Sequence, residues 1–229
     1  MLTNTWLIEK LDSVDSTQSQ SKSRHINCQK VLFAKEQRSG YGQKNRPWIS
    51  LCGNLTATLS FPCHEVNYHE ITLVSLIALG KSLDKLQTNL PYQYKWVNDL
   101  FLDGKKLAGI LCEGQQDRIF LGLGVNLLKS PDEFLSTNLN DYGLVISPEE
   151  FLTLFLESFT EEFNSWLVNG FTQVARAWKA KAYKMGQEVI IKKTNGEERS
   201  GKLVDLDKSG LILLEEGKKI SYLNCTLLI

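Results

Sequence analysis

Residues 95–111, KWVNDLFLDGKKLAGIL, decide how this chain is read. Apolar residues flank Asp103-Gly104, a dipeptide that accepts the positive φ angles of a tight hairpin turn, so two antiparallel strands are expected here. The strand before the turn is preceded by a short one, YQYKW, and the return strand is LAGILCE. Polar residues interrupt what would otherwise be continuous apolar strands. Asn98 and Asp99 put an amide and a carboxylate at a strand end, and the return strand brings Lys106 opposite them, where Asp99 can hold its ammonium group. Gly109 leaves room for a ligand or another backbone. The same residues also fit a blander hairpin with an Asn-Asp turn and a surface lysine pair.

Outward from the hairpin, strand and helix signals interleave without an internal repeat or low-complexity tract, which indicates an α+β chain. Strands are expected at Trp6 to Leu11, Val31 to Ala34, Leu55 to Phe61, where LTATLSF alternates, and Ile119 to Leu128. Ser16 and Thr17 stand where a helix N-cap would, and Glu70 to Leu86 reads as an apolar helix. Ser147, Pro148 and Glu150 form a capping box, after which Phe151, Phe155, Phe159 and Phe163 repeat every four residues and belong in the core. A further helix is expected from Phe171 to Tyr183. Beyond Met185, short strands separated by Asn195-Gly196, Ser209-Gly210 and Glu216-Gly217 predict a small C-terminal β-barrel. The division expected is 1–184 and 185–229.

Composition excludes several classes of function. The 229 residues carry 26 Lys and Arg against 26 Asp and Glu, so no bulk field draws the protein to nucleic acid or an anionic membrane. The C-terminal segment is balanced too, with seven basic and seven acidic residues between Glu188 and Lys219. No transmembrane span or leader peptide is read, and only about fifteen residues precede Ser16-Thr17, too few for a helix-turn-helix. Five scattered cysteines without a CxxC pair suit reduced thiols in the cytoplasm. Cys63, His64 and His69 match no zinc spacing.

The neutrality is an average. Between Lys35 and Arg46, Lys35, Arg38, Lys44 and Arg46 face Glu36 alone, a local charge of +3. Gly40 and Gly42 can adopt positive φ and bring N–H groups to an anion, and Arg46 can clamp phosphate oxygens in a fork. A mobile surface loop has the same composition. In FLGLGVNLL, residues 120–128, Gly122 and Gly124 point to one sheet face and leave a bare patch where a flat ligand can lie, with Asn126 at the strand end.

These segments, in this order and with LDSVDST at residues 11–17, resemble the biotin protein ligases, biotin–[acetyl-CoA-carboxylase] ligase, over nearly the whole chain. The family's GRGRxGRxW, following a glutamine, is similar to QRSGYGQKNRPW, which retains Gln37, Gly40, Gly42, Arg46 and Trp48. KWPND is KWVND here, KLAGIL is intact, and GxGxN is GLGVN. Two loop arginines are replaced by Tyr41 and Gln43, and the third glycine by Asn45.

The resemblance implies a mixed-sheet catalytic domain of the class II synthetase-like biotin/lipoate ligase type, with a small SH3-like C-terminal barrel. It also implies that biotin and MgATP form biotinyl-5′-AMP and that a lysine of the biotin carrier domain of acetyl-CoA carboxylase accepts the biotin. On that reading Lys106 touches the biotin carboxylate and α-phosphate. Ser16, Thr17 and Gln37 bind the biotin head, Gln18 borders its pocket, and Gly40 and Gly109 allow close approach. Arg46 binds pyrophosphate and Trp48 covers adenine. Asn98 and Asn126 lie near adenine and the metal, Asn98 as the contact to Mg²⁺ carried by ATP, while Asp99 orients Lys106 or assists deprotonation of the acceptor. The loss of two loop arginines implies looser retention of biotinyl-AMP. No DNA or membrane partner is expected, and the chain is read as a monomer or a homodimer joined at a sheet edge. Two alternatives remain at this stage: lipoate or octanoate transfer on a related scaffold, and a non-catalytic biotin-binding protein.

Overall fold

The Asp103-Gly104 turn forms as its composition requires, with φ of +50° and +74°. It sits in a computed structural model that describes residues 1–24, 28–63 and 67–228. The turn joins two strands of a seven-stranded sheet made of β1 (Leu7–Val14), β2 (Lys30–Gln37), β3 (Leu55–Pro62), β4 (Tyr92–Lys95), β5 (Asp99–Leu102), β6 (Lys105–Gln115) and β7 (Arg118–Val125). Their order across the sheet is β1-β2-β3-β7-β6-β5-β4. Only β1 and β2 run parallel, so the sheet is mixed, as expected for the α+β class.

Four helices complete this part: α1 (Thr17–Lys22), α2 (Tyr68–Leu86), α3 (Pro148–Asn169) and α4 (Phe171–Ala180). The short α1 covers one face over β3 and β7, whereas α2 packs on β5 and β6, and α3 on β3 and α2. That arrangement explains β3. The alternation in Leu55 to Phe61 does not separate core from solvent, because all seven residues are buried. Leu55, Ala57, Leu59 and Phe61 feed the apolar core, and Thr56, Thr58 and Ser60 occupy a second, polar and equally enclosed face.

The capping box at α3 is complete. Ser147 Oγ accepts from the Glu150 N–H at 3.2 Å, and Glu150 Oε2 accepts from the Ser147 N–H at 3.0 Å. The phenylalanine stripe that follows is buried along its length. Phe159 meets Phe61 at 5.6 Å between ring centroids, and also contacts Phe155, Phe163 and Trp6. No helix among the described residues is long and apolar enough to cross a membrane.

After α4 the chain adds Ala182 beside Tyr94 at the free edge of β4 and enters a second sheet. This contains β8 (Glu188–Lys193), β9 (Glu198–Asp207), β10 (Gly210–Glu215), β11 (Lys218–Tyr222) and β12 (Cys225–Leu227), in the order β11-β10-β9-β8-β12. The expected small C-terminal β unit is present as a five-stranded sheet that does not close, since among the described residues no ladder joins β11 to β12. Leu223 and Asn224 alone connect those two edge strands, a span of at most about 11 Å at 3.8 Å per Cα step. The sheet must roll until its edges nearly meet, but β12 is three residues long and pairs with β8. One apolar core runs through both sheets, from Leu2 to Leu227.

Replacing Phe159 by alanine should cost about 3–5 kcal/mol, the range for a fully buried phenylalanine. The guanidinium unfolding midpoint should fall accordingly, whereas Val168→Ala, at a position 68% exposed, should leave it in place.

Candidate active site

The polar face of β3 is roofed by the start of α1. Ser16 caps that helix, its Oγ accepting from the Ser19 N–H at 3.3 Å, and this turn drops Thr17 and Gln18 onto the sheet. Both the Thr17 N–H and its hydroxyl donate to Gln37 Oε1, at 2.8 and 2.9 Å. Thr58 Oγ1 lies 2.9 Å from Thr17 Oγ1 and 3.1 Å from Gln18 Oε1. The Gln18 amide donates to Phe120 O at 3.0 Å and to Glu113 Oε2 at 2.8 Å. Ser16, Thr17, Gln18 and Thr58 are all buried, so each holds its neighbour's orientation in a low-dielectric floor.

Strand register lays out the centre of the site. Gly109 on β6 faces Gly124 on β7 and Asp99 on β5, and Gly124 in turn faces Thr56. One step along, Gly122 faces Thr58 and Leu111. Simple alternation from Gly109 would put Lys106 on the opposite side of the sheet. A bulge between β5 and β6 corrects this: Leu100 pairs with Ala108 but Phe101 pairs with Lys106, and the extra residue turns Lys106 onto the face of Asp99 and Gly109. Lys106 Nζ then stands 2.7 Å from Asp99 Oδ1. This is an ion pair without hydrogen-bond alignment, because Oδ1 is enclosed and accepts no bond of good geometry. The Lys106 backbone is fixed on its other side through Leu135 O at 3.1 Å and the Thr137 N–H at 3.0 Å.

The basic loop closes on itself. The Trp48 N–H donates to Gly40 O at 2.9 Å, the Gly42 N–H to Arg46 O at 2.8 Å, and Tyr41 bridges Pro47. Positive φ falls at Lys44 (57°) and Asn45 (56°), not at Gly40 or Gly42. Asparagine tolerates that region because its short polar chain can bond locally. Gly40 is needed for space instead: a Cβ there would stand 2.7 Å from Gln37 Nε2 and 2.8 Å from Trp48 O. The bare glycine patch is filled from within the chain. The Trp48 indole lies where a Cβ on Gly124 would be, Gln18 Oε1 would be 3.0 Å from a Cβ on Gly122, and Lys106 Nζ is 5.6 Å from the Trp48 ring.

One cavity of about 150 Å³ collects these residues. Ser16, Thr17, Gln18, Gln37, Tyr41, Gly42, Gln43, Arg46, Trp48, Asn98, Asp99, Lys106, Gly109, Gly122 and Gly124 line it. Gly40 and Asn126 do not. Asn126 is buried beside Asn54, with its amide donating to Thr137 O at 3.1 Å. The loop's outer cations are neutralised, Lys35 by Asp12 and Arg38 by Asp15, each at 2.8 Å. The charged side chains on the cavity are Lys44, Arg46, Lys95 and Lys106 against Asp99, net +3. Sequence reading missed Lys95, Thr58, Cys225 and Thr226 on this wall. Burial pushes the Cys225 thiol up to about 11, which keeps it protonated at neutral pH and unfit as a nucleophile. Burial also holds His69 below the usual imidazole range, while a hydrogen bond with Asn224 opposes it. The His69 ring stacks near-parallel to Trp96 at 6.3 Å. His64, the middle member of the cysteine-histidine group, lies outside the described residues.

Comparison with known proteins adds an independent line. The profile described as "Biotin/lipoate A/B protein ligase family" matches residues 10–128, just over half of the chain. The chain is a member of the biotin/lipoate A/B protein ligase family. A "Biotin--[acetyl-CoA-carboxylase] ligase" of Paracoccus denitrificans is 30% identical over 200 residues, covering 80% of this chain and 82% of that one. A "Bifunctional ligase/repressor BirA" of Bacillus subtilis is 28% identical over 84% of this chain, which spans 64% of that protein's length. A solved structure of the Aquifex aeolicus biotin protein ligase in complex with biotin and ATP superposes with a TM-score of 0.89 at 27% identity, covering 97% of this chain and 98% of the other. Family membership accords with the polar floor, the glycine row and the lysine-carboxylate pair meeting in one cavity.

Because the Trp48 indole fills the space a side chain on Gly124 would need, Gly124→Ala should expel the indole and loosen the loop. Trypsin cleavage at the Lys44-Asn45 bond should then speed up about tenfold or more, while the far-UV circular dichroism spectrum stays native.

Proposed function

We propose that this protein is an ATP-dependent biotin protein ligase that activates biotin as biotinyl-5′-AMP and transfers it to a lysine of a biotin carrier domain, that of acetyl-CoA carboxylase. The observation that carries this reading is the row Thr56-Gly124-Gly109-Asp99 with Lys106 turned onto it. It places a closed, polar recess at one end and a fixed ammonium group near its middle. The interlocked Thr17, Gln18, Gln37 and Thr58 supply directional donors and acceptors suited to a ureido ring.

Lys106 is placed to draw the biotin carboxylate and the α-phosphate together. In the first step a carboxylate oxygen bonds to Pα, and the Pα–O bond to the β-phosphate breaks as pyrophosphate leaves. In the second, the acceptor amine bonds to the acyl carbon, AMP leaves, and the amine loses a proton. Both steps bring anions together, so positioning and charge compensation carry the catalysis. Asp99 holds Lys106 in place, and Arg46 and Lys44 contribute positive charge from the loop. The chain's side chains fit a magnesium ion carried by the nucleotide. Among the described residues no three His, Cys, Asp or Glu converge on a metal position. The Asn98 amide nitrogen is committed to Ile110 O at 2.8 Å, which leaves its oxygen as the protein contact to MgATP. Residues 1–184 form the catalytic unit in this reading and 185–229 an appended one. All five cysteines are free thiols, which supports a cytoplasmic enzyme, and the neutral overall charge supports one without a DNA partner.

Biotin-dependent exchange of labelled pyrophosphate into ATP is the direct test. The wild type should support exchange, and Lys106→Met should lower it about 10²–10³-fold. Absence of exchange in the wild type, or equal stabilisation by lipoate and biotin in a thermal-shift assay, would count against a biotin ligase.

A further inference from the structure

Glu113 stands two steps beyond Leu111 on β6, on the sheet face that carries Gly109 and the cavity. One carboxylate oxygen, Oε2, gathers donors from three separate parts of the chain. They are the Gln18 amide of the recess floor at 2.8 Å, Lys22 Nζ of α1 at 2.6 Å and the Tyr41 hydroxyl of the basic loop at 3.3 Å. Glu113 does not itself line the cavity, so it acts on a ligand only through what it holds.

The Tyr41 contact stands alone in its loop. From Gly40 to Ser50 the backbone bonds stay inside the loop: Gly42 to Arg46, Arg46 to Gln43 and Trp48 to Gly40. Among the described residues Tyr41 provides the one hydrogen bond that leaves this segment, and the other seat is the Trp48 indole against Gly124 and Gly109. At 3.3 Å the Tyr41 bond is longer than the roughly 2.5–3.0 Å of a good O–H···O bond. The shared oxygen has two closer donors, so the phenol can leave while Gln18 and Lys22 stay in place. We infer that Glu113 is a positioning residue that latches the basic loop over the recess through Tyr41 and thereby sets how fast the bound acid is released. This inference rests on the ligase reading. Tyr41 stands where the family loop carries an arginine, and the latch works against the looser retention expected from that loss. The same carboxylate steadies Gln18, whose Oε1 is 3.1 Å from Thr58 Oγ1, so floor and loop are tied at one point.

Release of labelled biotin from the full chain, chased with unlabelled biotin and without ATP, reads the latch apart from catalysis. Tyr41→Phe keeps the ring and removes the hydroxyl. It should raise the off-rate about 3- to 10-fold, the worth of one long hydrogen bond, while the on-rate changes less than twofold. Trypsin cleavage of the ligand-free chain at the Lys44-Asn45 bond should speed up by a similar factor. Glu113→Ala should raise the off-rate at least as much, because Gln18 is freed as well, and Glu113→Gln, whose amide oxygen still accepts from Tyr41, should recover part of the loss. In the Glu113→Ala background, adding Tyr41→Phe should change neither rate further. Additive effects of the two substitutions overturn the latch. Should Glu113→Ala fail to fold, Tyr41→Phe decides alone, and an off-rate and cleavage rate equal to the wild type's overturn the latch. A wild type that binds no biotin, with Tyr41→Phe still speeding cleavage and Glu113→Ala erasing that difference, would remove the ligase reading and leave the latch standing.

Discussion

The site depends on the register between β6 and β7, where Gly109 faces Gly124. Side chains alternate along a strand, so a slip of one residue would present Ile110 and Leu123 to the cavity and drive the glycines into the apolar core. Trp48 would lose its seat, Gln18 would meet a side chain in place of Gly122, and Asp99 would no longer neighbour the open backbone of Gly109. The register is held by eight paired positions between these strands and eight more between β7 and β3. It is also held by the core: Ile110, Leu121, Leu123 and Val125 are buried in the apolar cluster that also takes in residues of α2 and α3. Packing on one face of the sheet thus fixes the chemistry on the other.

Charge on this protein is arranged, not accumulated. The basic loop loses the influence of Lys35 and Arg38 to Asp12 and Asp15, both on or next to β1. What remains positive lines the cavity: Lys44 and Arg46 from the loop, both exposed, Lys106, and the buried Lys95, which solvent screens least. A chain with no net charge can still carry a locally positive cavity this way.

Features carried by contiguous residues were readable from sequence. The Asp103-Gly104 turn, the Ser147 capping box, the Phe151 to Phe163 stripe and the Ser16 cap each follow from local backbone or periodicity rules, and each is present. Features set by tertiary context were not. Nothing in KKLAGIL announces the bulge that turns Lys106 toward Asp99, because a bulge is a mismatch between two strands. The glycine patch at Gly122 and Gly124 was legible as open space, but its occupants, Gln18 and Trp48, come from elsewhere in the chain. Lys95 carries no signal of its own within YQYKW, since its isolation emerges only when Asp99 is seen to be paired with Lys106. The C-terminal strands were legible too, but not whether the sheet closes, because turn spacing counts strands and says nothing about whether the last one pairs with the first.

Cys225 and Thr226 line the same cavity as Ser16 and Thr17, more than two hundred positions earlier in the chain. During synthesis the polar recess can assemble once β7 has emerged, but its last wall is laid down only when β12 leaves the ribosome. The chamber therefore lacks its last wall until β12 is in place.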